Sequence, residues 1–404
     1  MGLNRTQLKI LSILEKSSPM DRKALFFESG LPACSFRGRL SELRKKGLID
    51  YNKEKVWLKK ASNKPIISEK EDNTYSFKKQ KYDFNSLTSI KEPNNLINRK
   101  LTIVLSDLHL GDKNVMINTY KSTISNLLNK IAILSTEGPF DTITVILNGD
   151  AVSGRNIFRG QEAQNIFNKG NMQILYASAY LYQLNEQLEQ YANVEWFIIK
   201  GNHDQYSGDN YAWLLADKLR ALGLDAFYAG HEFITNLGNT EKQHWALIEH
   251  GYGGGNYYPL SYEFIRQSTK KVIETNMRQW EQGLGPIERV IVGHTHWLNT
   301  NFQQDLRWAF DVSGGFQKNN RVELGMNQRP PGVLLYAFDG SKEGLSIYDW
   351  KGGLRLFEIP PDGEVLYNEI HDPALTLNNH SDVASVLANF YKFLVEKGLV
   401  KYFE

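Results

Sequence analysis

The chain has 404 residues, 41% of them hydrophobic and 12% aromatic, a single cysteine (Cys34) and a net charge of +2, enough for two or three domains with a real core. One cysteine excludes an intrachain disulfide and a thiolate-rich metal site. No run approaches the roughly 18 to 20 apolar residues of a membrane span, and the first residues lack the apolar segment of a secretory signal, so a cytoplasmic protein without a membrane partner is predicted.

The small net charge hides an asymmetry. Residues 1–60 carry 14 Lys+Arg against 6 Asp+Glu, a balance of +8, whereas 101–404 carry 25 against 34, a balance of −9. An anionic partner such as DNA would land first at the N-terminus. There, Leu8, Ile10, Leu11, Ile13 and Leu14 predict an amphipathic helix, followed by a short helix over 24–28, a turn at Gly30-Leu31-Pro32 and a third helix with Phe36, Leu40 and Leu43 on its apolar face. Gly47 ends that helix, and the alternation over 48–58 predicts a hairpin. Three helices and a hairpin in this order resemble a winged helix-turn-helix domain, which implies a DNA-holding module over 1–60.

Residues 61–98 are polar and aperiodic, with Pro65 and Pro93, and read as a flexible linker. Within it, Tyr75, Phe77, Tyr82 and Phe84 interleave with Lys78, Lys79 and Lys81. That pattern suits stacking on single-stranded nucleic acid, or docking of the aromatics onto the main domain.

From 101 onward, strands alternate with helices predicted over 114–134, 161–191, 211–222 and 261–282, an α/β signature. Strands over 101–105, 143–147, 194–199, 245–248 and 290–292 each run into a polar motif. In order these are Asp107-Leu108-His109, Gly149-Asp150, Gly201-Asn202-His203-Asp204, His250-Gly251 and Gly293-His294-Thr295-His296. In open α/β sheets, ligands bind beyond the carboxyl ends of strands, so the five motifs should converge on one sheet edge. After 296 strands are predicted over 306–312, 332–338, 345–350 and 354–359, which suits two packed sheets with helices outside. A C-terminal extension, 361–404, holds an amphipathic helix over 383–397.

Hydrolysis of a phosphate ester needs a nucleophilic oxygen at neutral pH, shielding of the phosphoryl oxygens and a proton for the leaving group. Two divalent metals about 3.5 to 4 Å apart meet the first two needs by sharing a hydroxide and clamping the ester. A carboxylate must bridge them, and Asp150, in a tight turn after a strand, is the candidate. Asp107 and His109, like His294 and His296, lie two apart, so an extended chain turns each pair to one face. His250 and the amide oxygen of Asn202 complete a mixed oxygen and nitrogen set that suits Mn²⁺, with Fe or Zn²⁺ as alternatives. Five of the nine histidines fall inside these motifs.

The ordered set resembles the calcineurin-like metallophosphoesterase superfamily, whose signature is Asp-x-His, Gly-Asp, Gly-Asn-His-Asp/Glu, a lone His and Gly-His-x-His. The resemblance implies a four-layer α/β/β/α sandwich over 99–360. It also implies one metal on Asp107, His109, Asp150 and His296 and a second on Asp150, Asn202, His250 and His294. His203 would protonate the leaving group or steady the phosphate, with Asp204 orienting it.

For the substrate, Arg155 and Arg159 follow the Gly-Asp turn, where guanidinium forks match phosphate oxygens. That loop resembles the corresponding one of the exonuclease-type small subunit of archaeal D-family DNA polymerases, although solvated loop arginines are the plainer reading. The segment 251–258, rich in glycine and tyrosine, reads as a stacking rim or an ordinary loop. These features predict a DNA nuclease, exonuclease-like. The alternative is a phosphatase or pyrophosphatase acting on nucleotides, lipid-linked diphosphates or phosphoproteins, with a regulatory N-terminal domain and a protein partner. Ser106-Asp107-Leu108-His109-Leu110-Gly111-Asp112 also resembles the first motif of bacterial UDP-diacylglucosamine pyrophosphatases. A winged-helix regulator with a spent body is a third reading, against which stands the complete ligand set.

Overall fold

The computed structural model describes residues 98–371 except 158, 207–208, 252–261, 304–307, 319–329 and 345–348; residues 380–403; and, nearer the N-terminus, 10–14, 20–21, 24–25, 40, 43–44, 48–51 and 55–58. The chain divides into two compact units, 1–90 and 91–404.

In the first unit, residues 10–14, 24–25 and 43–44 are helical. Strands β1 (Met20–Asp21), β2 (Ile49–Tyr51) and β3 (Lys55–Leu58) form a sheet in the order β1-β3-β2, with β2 and β3 antiparallel. Ile10, Leu14, Leu25, Leu40, Leu43, Ile49 and Val56 bury together as its core. Asp21 Oδ1 accepts the Ala24 amide at 3.0 Å, an N-cap, and Leu48 N closes back on Leu43 O at 3.1 Å. Leu8, Phe36 and the linker stretch 61–97 lie outside the described residues.

The second unit is two sheets with helices outside. Strands β4 (Arg99–Leu105), β5 (Thr142–Asn148), β6 (Asn193–Ile199) and β9 (Asp225–Gly230) run parallel, and β15 (Val333–Asp339) and β16 (Leu354–Ile359) extend the sheet antiparallel, in the order β16-β15-β4-β5-β6-β9. The second sheet has the order β10-β11-β12-β14-β13, from β10 (Glu232–Asn236), β11 (Trp245–Glu249), β12 (Ile287–Val292), β13 (Asn299–Gln303) and β14 (Trp308–Val312). Alternation along each strand decides which layer a side chain enters. Leu101, Ile103 and Leu105 of β4 join the helices on the outer face, while Val104 joins Ile146, Ile248, Ile291 and Tyr336 between the sheets. Trp245, Leu247, Val290 and Val292 face the other way, with Val272 of the helix Tyr262–Glu281. The layers are therefore helix, sheet, sheet, helix.

Of the strands in these two sheets, β9, β10 and β13 are absent from the sequence reading, and all three lie at sheet edges; the two-residue strands β7 (Gln205–Tyr206) and β8 (Asp209–Asn210), which pair with each other, are also absent from it, as is β1. Edge strands are half-buried and carry fewer apolar residues, so their pattern reads as loop. The helix predicted over 161–191 breaks into Gln161–Gln164 and Gly170–Leu188, because Ile166 N donates to Gly111 O at 2.8 Å and Asn165 turns its side chain to Ser153 and Gly154. Of the strand predicted over 345–350, residues 345–348 lie outside the described ones, and 349–350 form a turn.

The helix Ile117–Ser135 has no side-chain cap of its own. The fully buried Glu369, from the helix Gly363–His371, accepts the amides of Asn118 (2.9 Å) and Thr119 instead. The C-terminal helix His380–Glu396 places Val383, Phe390 and Leu394 in the outer core, with the Phe393 ring tilted against Tyr182 at 4.5 Å between centroids. No described helix is long and apolar enough to cross a membrane.

Candidate metal centre

All five motifs sit just beyond the carboxyl ends of β4, β5, β6, β11 and β12, and short distances join every residue expected to ligate metal. Asp107, His109 and His296 offer ligand atoms within 4.8 Å of one another, as do Asp150, His250 and His294, and so do His109, Asp150 and His203. His109 and Asp150 each belong to two of the groups, and Asp150, the carboxylate of the two, lies where a bridge must. Asn202 joins through its Oδ1, 3.3 Å from His250 Nε2.

The backbone bends sharply to achieve this. Asp107, His109, Asp150, His294 and His296 all adopt positive φ, between 46° and 65°, and only Asn156 and Trp350 do so among the other described non-glycine residues. Such conformations cost on the order of 1–3 kcal/mol each and persist only where surrounding bonds over-determine them. Here the bonds are Asp107 N to Gly149 O (3.1 Å), His109 N to Asp150 O (2.9 Å) and His294 N to Asp107 Oδ2 (2.8 Å). Glycine is required at Gly149, where a Cβ would strike the His250 ring and approach Gly201 Cα to 2.8 Å.

Charge and burial fit a cation. His250 Nδ1 donates to Asn148 O at 2.7 Å, so the neutral ring turns a bare Nε2 lone pair to Asp150 Oδ2, only 3.0 Å away. His109 Nε2 and His296 Nε2 face each other at 3.1 Å, and Asp107 Oδ1 is 3.3 Å from His296 Nε2. Asp107 Oδ1 and Asp150 Oδ2 are buried without a hydrogen bond, a costly arrangement unless positive charge lies between them. Without a cation the burden falls on protonation. Burial alone would lower the His250 pKa, but the carboxylates of Asp150 and Asp107 outweigh it and push it up to about 10. Burial likewise opposes ionisation of Asp107 and Asp150 and is outweighed by the facing histidines, so both carboxyls stay well below the usual range. Burial, then the charges of His203 and His296, pulls His109 well below its ordinary value and keeps it a neutral donor. A bed of carboxylates and neutral imidazoles is what divalent ions bind.

The floor of the site, Asp107, His109, Asp150 and His250, is buried, whereas Asn202, His203, His294 and His296 are half-buried and form its open side. His203 Nδ1 donates to Ser153 O at 2.7 Å, which leaves Nε2 for the site, and the ring lies edge-on to His109 at 4.7 Å. Asp204 departs from the expectation that it orients the His203 ring. Its carboxylate accepts the amides of Asp150 (2.8 Å), Gly201 (2.9 Å) and Val152 (3.4 Å) and so braces the bridging residue's loop. Burial and the nearby Asp150 charge push its pKa up to about 6.

Arg155 lies two residues beyond Ser153 and pairs with Glu162 at 3.2 Å, and Arg159 is exposed. Most of the rim, 252–258, lies outside the described residues. Sequence reasoning missed Ser106, Asn148, Ser153 and Gln161, whose groups steady the ligand loops. Ser106 and Asn148 directly precede the motif residues Asp107 and Gly149, and that adjacency was the available signal.

Residues 101–298 match the family model described as calcineurin-like phosphoesterase. This part of the chain is a calcineurin-like metallophosphoesterase domain, and the protein is a metal-dependent phosphoesterase. Among curated proteins none matches the chain. Similar solved structures include a hypothetical protein from Pyrococcus horikoshii OT3 (14% identity, TM-score 0.32, covering 67% of this chain and 92% of that one). A metallophosphoesterase from Sphaerobacter thermophilus is similar at 12% identity and TM-score 0.27, over 72% and 98%. Vps29 from Entamoeba histolytica, complexed with Zn²⁺, is similar at 12% identity and TM-score 0.28, over 64% and 99%.

Proposed function

We propose that the protein hydrolyses phosphodiester bonds of DNA, with the basic N-terminal unit holding the substrate as a winged helix and the second unit cutting it. The observation that carries the choice of DNA is the +8 balance of residues 1–60, set against −9 for 101–404. A cationic module beside a hydrolytic one supplies the phosphate affinity that the body itself lacks.

Asp107, His109, Asp150 and His296 would hold one divalent ion and Asp150, Asn202, His250 and His294 the other, with Mn²⁺ the first choice and Fe or Zn²⁺ the alternatives. When bound, such a pair activates water and neutralises the phosphoryl oxygens. His203 faces the open side with Nε2. As the bond from phosphorus to the leaving oxygen breaks, the electron pair goes to that oxygen, which takes the proton from Nε2 and leaves the ring with its proton on Nδ1. A histidine suits this because its ordinary pKa is near 6.5. Asp204 keeps Asp150 in place, and Arg155 and Arg159 would grip phosphates flanking the cut.

Incubation with Mn²⁺ and single-stranded DNA, duplex DNA and small phosphoesters side by side tests the reading. Cleavage of DNA supports it. Intact DNA with a hydrolysed nucleotide or other small ester would replace it with the phosphatase reading, which the acidic body favours.

A further inference from the structure

The imidazole of His203 is useful only with the correct nitrogen toward the substrate, and the contacts behind it say how that is arranged. Ser153 O is an acceptor, so the bond at 2.7 Å places a proton on His203 Nδ1. The same oxygen accepts a second bond, at 2.6 Å, from Gln161 Nε2, which itself lies 3.3 Å from His203 Nδ1, so two donor nitrogens meet at the one acceptor and the shorter bonds both go to it. A carbonyl oxygen has two lone pairs, and both are then engaged. The orientation of the Gln161 amide is itself determined, because its Oε1 accepts the Ile157 amide at 2.8 Å. Gln161 is 1% exposed, so these bonds do not exchange with solvent.

We infer that Gln161 is a positioning residue: by clamping the Ser153 carbonyl it keeps a proton on His203 Nδ1, so that Nε2, aimed at the leaving oxygen, is the nitrogen that takes up the second proton and delivers it, returning the ring to the Nδ1–H tautomer. This rests on the reading of His203 as proton donor. The segment that follows Gln161 is committed to the same stretch of backbone: Asn165 Nδ2 donates to Gly154 O at 2.9 Å, and Gln173 Oε1 accepts Gly154 N at 3.0 Å. That commitment gives a functional reason for the break in the helix predicted over 161–191, since residues on a continuous helix could not all turn to residues 153–154. Asp204, a neighbour of His203 in sequence, spends its carboxylate on backbone amides, and the Ser153 carbonyl stands where a carboxylate partner for the ring was expected.

The test uses Gln161→Met, which keeps length and removes both polar atoms, in the full chain with metal. Two diesters are compared, one with a p-nitrophenolate leaving group that needs no proton and one with a nucleoside alkoxide that does. Gln161→Met should lower kcat on the alkoxide ester by roughly 10-fold to 100-fold, at least about five times more than on the p-nitrophenyl ester, with KM and metal content unchanged. In a His203→Gln background the same substitution should add little, because residues acting as a unit are not additive. Equal losses on both esters, or additive losses in the double variant, would overturn the inference.

A second readout needs no turnover. In the metal-free full chain with ¹⁵N-histidine, the His203 ring, assigned by its loss in His203→Gln, should give the Nδ1–H pattern and become a tautomer mixture in Gln161→Met. An unchanged pattern refutes the clamp. A wild-type enzyme that cleaves neither ester would remove the functional reading while the ring spectrum still decides the clamp.

Discussion

The two sheets contribute different chemistry to the site. Among the candidate ligands, the carboxylates and the amide, Asp107, Asp150 and Asn202, follow strands of the six-stranded sheet, whereas the five-stranded sheet supplies only imidazoles, His250, His294 and His296. Neither sheet holds a complete set, so the centre depends on their mutual placement. Cross-sheet bonds set that placement next to the ligands: His294 N to Asp107 Oδ2, His250 Nδ1 to Asn148 O, Asn148 Nδ2 to Glu249 O (3.0 Å) and Ser313 Oγ to Val104 O (3.0 Å). The apolar layer between the sheets gives adhesion. The polar bonds give register.

The largest expected effect comes from removing the group shared by both clusters. Asp150→Ala deletes the carboxylate expected to bridge and also frees His203 N, which donates to Asp150 Oδ1 at 2.7 Å. Metal content, measured by mass spectrometry after purification without chelator, and activity should vanish together. Retention of two ions would mean that the remaining ligands of the two sheets hold metal without a bridging carboxylate at Asp150. His203→Ala comes next. It should keep both ions and slow turnover by roughly 10² to 10⁴; loss of metal equal to that in Asp150→Ala would make His203 a ligand instead.

The contrast between the sheets also explains what was legible in sequence. The parallel strands β4 and β5 are buried on both faces, and β6 is buried at its carboxyl end, so their apolar runs stand out and place Asp107, Asp150 and Asn202 at strand ends. β11 and β12 share that signature and place His250 and His294. The edges β9, β10 and β13 do not, being half-exposed. Nor could periodicity reveal Glu369 reaching a helix 250 residues earlier, or the Gln161 clamp, because both depend on side chains meeting only after the chain has folded. The orientation role assigned to Asp204 failed for a related reason. Sequence shows that an acid follows a histidine, but only packing shows that its oxygens are already taken by amides.

A smaller effect probes register alone. Asn148→Ala removes the side-chain bond to Glu249 O and leaves that buried carbonyl unpaired, at a cost of about 1–3 kcal/mol. His250 keeps its acceptor, the Asn148 main-chain oxygen, but the strand end that carries His250 loses its tie to the first sheet. Urea denaturation should show the stability loss, and metal titration a weakening of roughly 10-fold, as for other groups that support ligands from behind. Lower stability with unchanged metal affinity would mean that the core between the sheets sets ligand geometry and the polar bonds only add stability.

The smallest effect concerns the helical layer. Glu369→Ala uncaps the helix Ile117–Ser135 and should cost about 1 kcal/mol, read as a lower urea midpoint at unchanged slope. The start of that helix is hooked to the site: Met116 N donates to Phe316 O at 2.8 Å, and Phe316 N donates to Asp107 O at 3.1 Å. If the sheets fix Asp107, fraying at the helix start is absorbed before it reaches the metals and their affinity stays within about two-fold, since the four cross-sheet bonds, His294 N to Asp107 Oδ2 among them, remain. If affinity falls with stability, the outer helix is a third determinant of ligand position, and a division of labour between two sheets is too simple. Glu369→Gln separates charge from contact in that case, because the amide keeps one acceptor for the Asn118 or Thr119 amide and loses the favourable anion at the helix N-terminus.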